Sequence, residues 1–133
     1  MKPLEGAVPV SFVLTSDRAS ARHFYAVTLG LPIVGEDDFA ITFGLAGGGL
    51  MRLTDVEGHQ AAMHTVLGWS VGDIVEAVVG LAASGVEFRV YPGMGQDENG
   101  IWAAPGGGAK VAWFTDPDGN VLSLTQFETG TTG

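Results

Sequence analysis

A chain of 133 residues, 46% apolar and free of cysteine, is long enough for one domain with its own core and excludes disulfide scaffolds, cysteine-ligated metal sites and thiol catalysis. Fifteen acidic residues against six basic ones give a net charge of -9, which repels phosphate backbones and anionic lipid, so neither a nucleic-acid nor a membrane partner is expected. The 21 glycines are about 16% of the chain against an average near 7%, yet they fall between periodic segments and act as punctuation rather than as a sign of disorder.

In chain order, Val8 to Thr15 alternates and is rich in β-branched and aromatic residues, the pattern of a strand. A helix follows, opened by Ser16 or Asp17, with Phe24, Tyr25, Val27 and Leu29 as its apolar positions and Gly30 at its end. Short strands are expected at Pro32 to Gly35, Phe39 to Phe43 and Leu50 to Thr54, separated by Glu-Asp-Asp and Gly-Gly-Gly turn signals. Residues 55–63 read as a linker, and then the series restarts. His64 to Val71 is a strand, Asp73 opens a helix carrying Ile74, Val75, Val78 and Leu81, and Gly85 lies past its end. Val86 to Tyr91, Ala109 to Phe114 and Asn120 to Gln126 complete the second series, the last two flanking the turn Asp116-Pro117-Asp118-Gly119-Asn120. Val10 and Val66, like Asp17 and Asp73, stand 56 residues apart. The simplest account is a duplicated βαβββ unit: module one 8–54, module two 64–127 and a flexible tail 128–133. No apolar run approaches the about 20 residues of a membrane helix, and the start MKPLEGAVPV lacks the form of a secretory signal, so a cytoplasmic location is expected.

The run from Ser16 to Tyr25 with Leu29-Gly30-Leu31, then Val71-Gly72-Asp73-Ile74 with Ala83-Ser84-Gly85-Val86, then Trp113 to Asn120, resembles the signatures of the glyoxalase / bleomycin-resistance / extradiol-dioxygenase group, the vicinal oxygen chelate superfamily. The resemblance covers about residues 8 to 127. It implies an α+β fold in which two tandem βαβββ modules curl mixed sheets around a small-molecule cavity, and it implies a homodimer. In metal-binding members, two ligands come from the first and last strands of each module. The matching positions here are Val10, Arg52, Val66 and Ser123: two alkyl side chains, a cation and a hydroxyl. No metal and no other cofactor is therefore expected.

His64 shares the face of Val66 by alternation and suggests a relocated site with Glu87, Asp97 or Glu98, supporting a lyase, isomerase or dioxygenase; the competing reading is a histidine at the cavity rim or the surface. Val10, Phe12 and Leu14 should share the cavity-facing side of the first strand, opposite Ser11 and Val13, and Val66, Gly68 and Ser70 that of the second module. Arg52 should meet a carboxylate of the protein or of a ligand. The glycine-rich stretch from Tyr91 to Trp102 either covers the cavity mouth, with Tyr91, Met94 and Trp102 as apolar contacts and Asp97 and Glu98 as polar ones, or is a surface loop anchored by Trp102. Trp69 and Trp113 read as core, Asp116 and Asp118 as turn residues, and His23 and His59 as solvated. The ligand-binding set is thus Phe12, Arg52, His64, Val66, Ser123, Tyr91, Met94 and Trp102. The expected function is metal-independent binding of a small molecule, and the acidic balance is similar to that of the antibiotic-sequestering branch, which binds cationic bleomycin-type glycopeptides without catalysis.

Overall fold

The computed structural model describes residues 2–128; of the expected tail, 129–133 lie outside the described residues. The chain divides between Gln60 and Ala61 into two compact units. In the first, β1 (Val10–Thr15) leads through Asp17 into α1 (Arg18–His23), followed by a π-helical turn at Phe24–Thr28, then β2 (Ile33–Glu36), β3 (Ala40–Gly44) and β4 (Leu50–Asp55). In the second, β5 (Thr65–Ser70), α2 (Ile74–Ala83), β6 (Trp102–Ala103), β7 (Ala109–Thr115) and β8 (Val121–Phe127) repeat the order. Each unit holds one mixed four-stranded sheet, ordered β1-β4-β3-β2 and β5-β8-β7-β6. The first strand of each lies parallel to the last, which requires a crossover, and the helix supplies it.

Both helices start where their sequence directs. Asp17 accepts a bond from the Ser20 amide at 3.2 Å, and Asp73 accepts one from Glu76 at 3.0 Å, which satisfies N–H groups that a helix leaves free. Gln126 on β8 accepts a further one from Ile74 at 2.8 Å and so ties α2 to its own sheet. Gly85 closes α2 at φ +95°, a conformation that a β-carbon resists, and lets the Val86 amide turn back to the Leu81 carbonyl at 3.0 Å. The first helix departs from expectation. Past His23 it widens, with the Leu29 amide reaching the carbonyl of Phe24, so Tyr25 is wholly buried beside Phe43 while Val27 is 65% exposed rather than an apolar contact.

Alternation along each strand divides each sheet into two faces. In module one Val13, Ile41, Phe43, Met51 and Leu53 are buried on the face that receives Tyr25. In module two Ala112, Phe114, Leu122 and Leu124 are buried on the face covered by Ile74 and Val78 of α2. Each large side chain so buried stabilises its unit by about 1.5–3 kcal/mol. Among the described residues no helix is long and apolar enough to cross a membrane.

The segment Val86 to Tyr91 is not the regular strand its sequence suggests. It pairs with β7 only at Phe88 opposite Phe114, and the Arg89 amide donates to the Trp113 carbonyl at 2.7 Å. A ladder continued from that bridge would set Tyr91 opposite Val111, but Trp102 stands there, eleven residues later. The chain leaves the sheet edge after Arg89 and rejoins it at β6, so the expected loop ends in a strand. The extra residues of this excursion cannot join the ladder without breaking its register.

Midway along β5, at the edge of the second sheet, Gly68 pairs with Ser123, and a β-carbon at Gly68 would collide with the Ser123 hydroxyl and stand 3.2 Å from its carbonyl oxygen. Gly68→Ala is therefore expected to destabilise the protein by about 1–3 kcal/mol, read from chemical unfolding, with Ser123→Ala recovering part of the loss.

Candidate functional site

The sheet faces turned away from the helices carry the residues singled out by spacing. In module one, Phe12 pairs with Arg52, and Arg52 with Thr42 on the other side, so all three side chains share one face. Phe12 is 62% exposed, an unusual state for a phenylalanine in a strand, and Val10 beside Leu50 is exposed as well. Arg52 has a carboxylate from its own module. Its Nη2 lies 3.6 Å from Asp37 Oδ2, and its Nη1 donates to the Thr42 hydroxyl at 3.4 Å. Asp37 is fixed in turn by the Phe39 and Ala40 amides, at 2.8 and 2.9 Å. Those two bonds, followed by the charge of Arg52, hold its carboxyl below the usual range. The guanidinium is thus propped in place with part of its donor fork still facing solvent.

A second arginine was not singled out by the sequence, yet it ties the module together. Arg18 Nη1 meets Asp55 Oδ2 at 2.7 Å, and its Nη2 meets Glu36 Oε2 at 3.2 Å and the Asp37 carbonyl at 2.6 Å. The bond to Asp55 is the main cause that raises the Arg18 pKa, while Arg22, then Arg18, lower that of Glu36. Only the local sequence Asp17-Arg18 is visible along the chain; its partners are distant in sequence.

In module two, pairing places Trp113, Ser123 and Gly68 in one row and Trp102, Val111, Thr125 and Ser70 in the next, all on the face turned from α2. Trp113, read from sequence as core, is instead half-buried on this face, with Tyr91 at 5.7 Å edge-on and Trp102 at 6.1 Å. Trp69 does lie on the α2 side, stacked on Phe114. The two ends of the excursion therefore flank one tryptophan and form an aromatic wall. Ser123 is nearly buried in that row, and Val66 lies half-buried where β5 slips register between Thr65 and Leu67.

The excursion is held by its own side chains. Gln96 Oε1 accepts from the Tyr91 amide at 2.6 Å, and its Nε2 donates to the carbonyls of Arg89 and Gly100 at 2.9 and 2.8 Å. Asp97, expected to be a ligand contact, is spent on the loop: its Oδ1 accepts from the Asn99 and Ile101 amides at 2.8 and 3.0 Å. Met94 is half-buried within the loop, its amide bonded to the Tyr91 carbonyl. Asp116 likewise serves its turn, taking bonds from the Asp118 and Asn120 amides and from the Asn120 side chain, as the turn reading expects. His64 is exposed just before β5. Among the described residues no group of three or more His, Asp or Glu side chains converges as a metal ion would need. The residue types at Val10, Arg52, Val66 and Ser123 do not fit a divalent ion either.

Two sheets of identical strand order, each with a parallel first and last strand and a crossover helix, define a duplicated βαβββ protein. The chain matches the Glyoxalase/Bleomycin resistance protein/Dioxygenase superfamily model over residues 8–124, and it belongs to that superfamily. Among solved structures it is similar to a glyoxalase/bleomycin resistance protein/dioxygenase from Alicyclobacillus acidocaldarius, with TM-score 0.73, 15% identity, and coverage of 95% of this chain and 96% of the other. A glyoxalase family protein from Enterococcus faecalis gives TM-score 0.70 and 19% identity over 89% of this chain and 95% of the other. A glyoxalase/bleomycin resistance protein/dioxygenase from Nocardioides gives 0.68 and 19% over 96% and 87%. No curated protein matches the chain.

Two outcomes follow from this geometry. Gln96→Ala removes three bonds worth about 0.5–1.5 kcal/mol each, so it is expected to speed hydrogen exchange at the Tyr91 amide and shift tryptophan fluorescence, while β1 to β4 keep their protection. For acid, the sign is set by Glu36 and Asp37, whose lowered pKa values contribute stability that is present above the unfolded-state value near 4 and lost as pH falls through their folded values. The melting temperature should fall below about pH 4, and Asp37→Asn should blunt part of that fall.

Proposed function

We propose that the chain is a metal-independent binding protein for a small molecule, of the antibiotic-sequestering kind, acting in the cytoplasm as a homodimer. The observation that carries this reading is the chemistry at the four ligand positions of the superfamily, where Val10, Arg52, Val66 and Ser123 leave no carboxylate or imidazole for a cation. The aromatic wall of Tyr91, Trp113 and Trp102 supports the assignment of the ligand surface in module two. Phe12 and the propped Arg52 form the corresponding surface of module one, apolar with a fixed donor fork. A net charge of -9 favours encounter with cationic ligands, and a bleomycin-type glycopeptide is the first to try.

The test is a titration of metal-free bleomycin followed by tryptophan fluorescence in the presence of a chelator, with sedimentation to read the dimer. Saturable quenching is expected, about tenfold weaker in Trp113→Ala, with no product formed. Turnover of the ligand, or binding that vanishes with the chelator, would contradict the reading; absence of quenching would remove bleomycin as the ligand class.

A further inference from the structure

On the other side of the second sheet, a groove of about 330 Å³ runs between α2 and the segment Val86 to Val90. Its volume lies at the lower end of the range for small-molecule sites. The lining includes Val78, Val86 and Phe88, of which Val78 is 3% and Val86 7% exposed, and at the rim Val79 and Val90, 54% and 68% exposed. Valine is a poor choice for a solvated helix position, because its branched side chain loses rotamer freedom there, so Val79 gains nothing from being left in water. Glu98 and Asn99 also line the groove. They belong to the excursion that Gln96 and Asp97 tie down, so this wall is preformed.

Glu98 is the only charged residue in the lining, and among the described residues it has no ion-pair partner. Arg18, Arg22, Arg52 and Lys110 are paired elsewhere, and Arg89, on the segment that walls the groove, is exposed, is not part of the lining and makes no ion pair with Glu98. An unpaired carboxylate at the exposed rim of an apolar trough favours an occupant with an apolar body and one positive charge, because the charged head can pair with the carboxylate while the body covers the valines and Phe88.

We propose that the groove is a second binding site, independent of the aromatic wall, that takes a small hydrophobic amine in its ammonium form, with Glu98 as counter-ion and Asn99 as an added hydrogen-bond partner. The probes are 2-phenylethylammonium and its neutral analogue 2-phenylethanol, titrated into the full chain and followed by amide chemical shifts. Shifts are expected at Val79, Val90 and Gly100, with the ammonium binding about tenfold tighter than the alcohol. Glu98→Gln should erase that difference and leave the alcohol unaffected. Ala82→Trp, at an exposed position lining the groove, should abolish both while the circular dichroism melt stays cooperative. Trp113→Ala should leave this binding unchanged, which separates failure here from failure of the bleomycin reading. Equal affinity for the two probes, no binding at millimolar concentration, shifts confined to Tyr91, Trp102 and Trp113, or self-association abolished by Ala82→Trp would each overturn the proposal.

Discussion

In each module the first strand is hydrogen-bonded in parallel to the last, β1 to β4 and β5 to β8, and the remaining architecture answers to that pairing. Parallel neighbours cannot be joined by a tight turn, so a helix must cross over between them, and its caps and glycine stops are set by that need. The helix then covers one face of the sheet and leaves the other uncovered by it. Because paired residues share a face, the same register that buries Val13 with Leu53 turns Phe12 and Arg52 the opposite way. In the second module it turns Ser123 and Trp113 away from α2 while burying Leu122 and Phe114.

The chain has the fold of the superfamily, and the sheet faces turned from its helices carry few groups suited to a metal ion. Where a metal site needs carboxylate and imidazole, these faces offer valine, serine, aromatic rings and one arginine held by Asp37 and Thr42. Five of the chain's carboxylates are committed to structure instead. Asp37 and Asp97 hold turn amides, Asp116 binds both the backbone and Asn120, and Glu36 and Asp55 bind Arg18. A strongly acidic chain need not be a metal-rich one.

Much of this was legible in the sequence because local chemistry decides it. Asp17 and Asp73 cap helices, Gly30 and Gly85 end them, and strand alternation separates Val13 from Phe12. What was hidden depends on partners far along the chain or on parity that composition cannot resolve. In Ala112-Trp113-Phe114 two large aromatics are adjacent, so either could face α2, and only the pairing with Ser123 and Leu122 assigns them. Gln96 looks like any loop amide until its three bonds are seen, and the strand-like pattern from Val86 gave no sign of the excursion that Gln96 ties down. The widened turn at Phe24–Thr28 left no mark in the apolar pattern.

The proposed binding without a metal is checked most directly by the metal content of protein purified without added chelator, with its melting temperature in the presence and absence of divalent ions. Less than about one tenth of an equivalent of any divalent metal per chain, with an unchanged melting temperature, is the predicted result, since a ligand bound only by the folded state must raise it. One equivalent of bound metal that raises the melting temperature and is lost with a chelator would contradict the account.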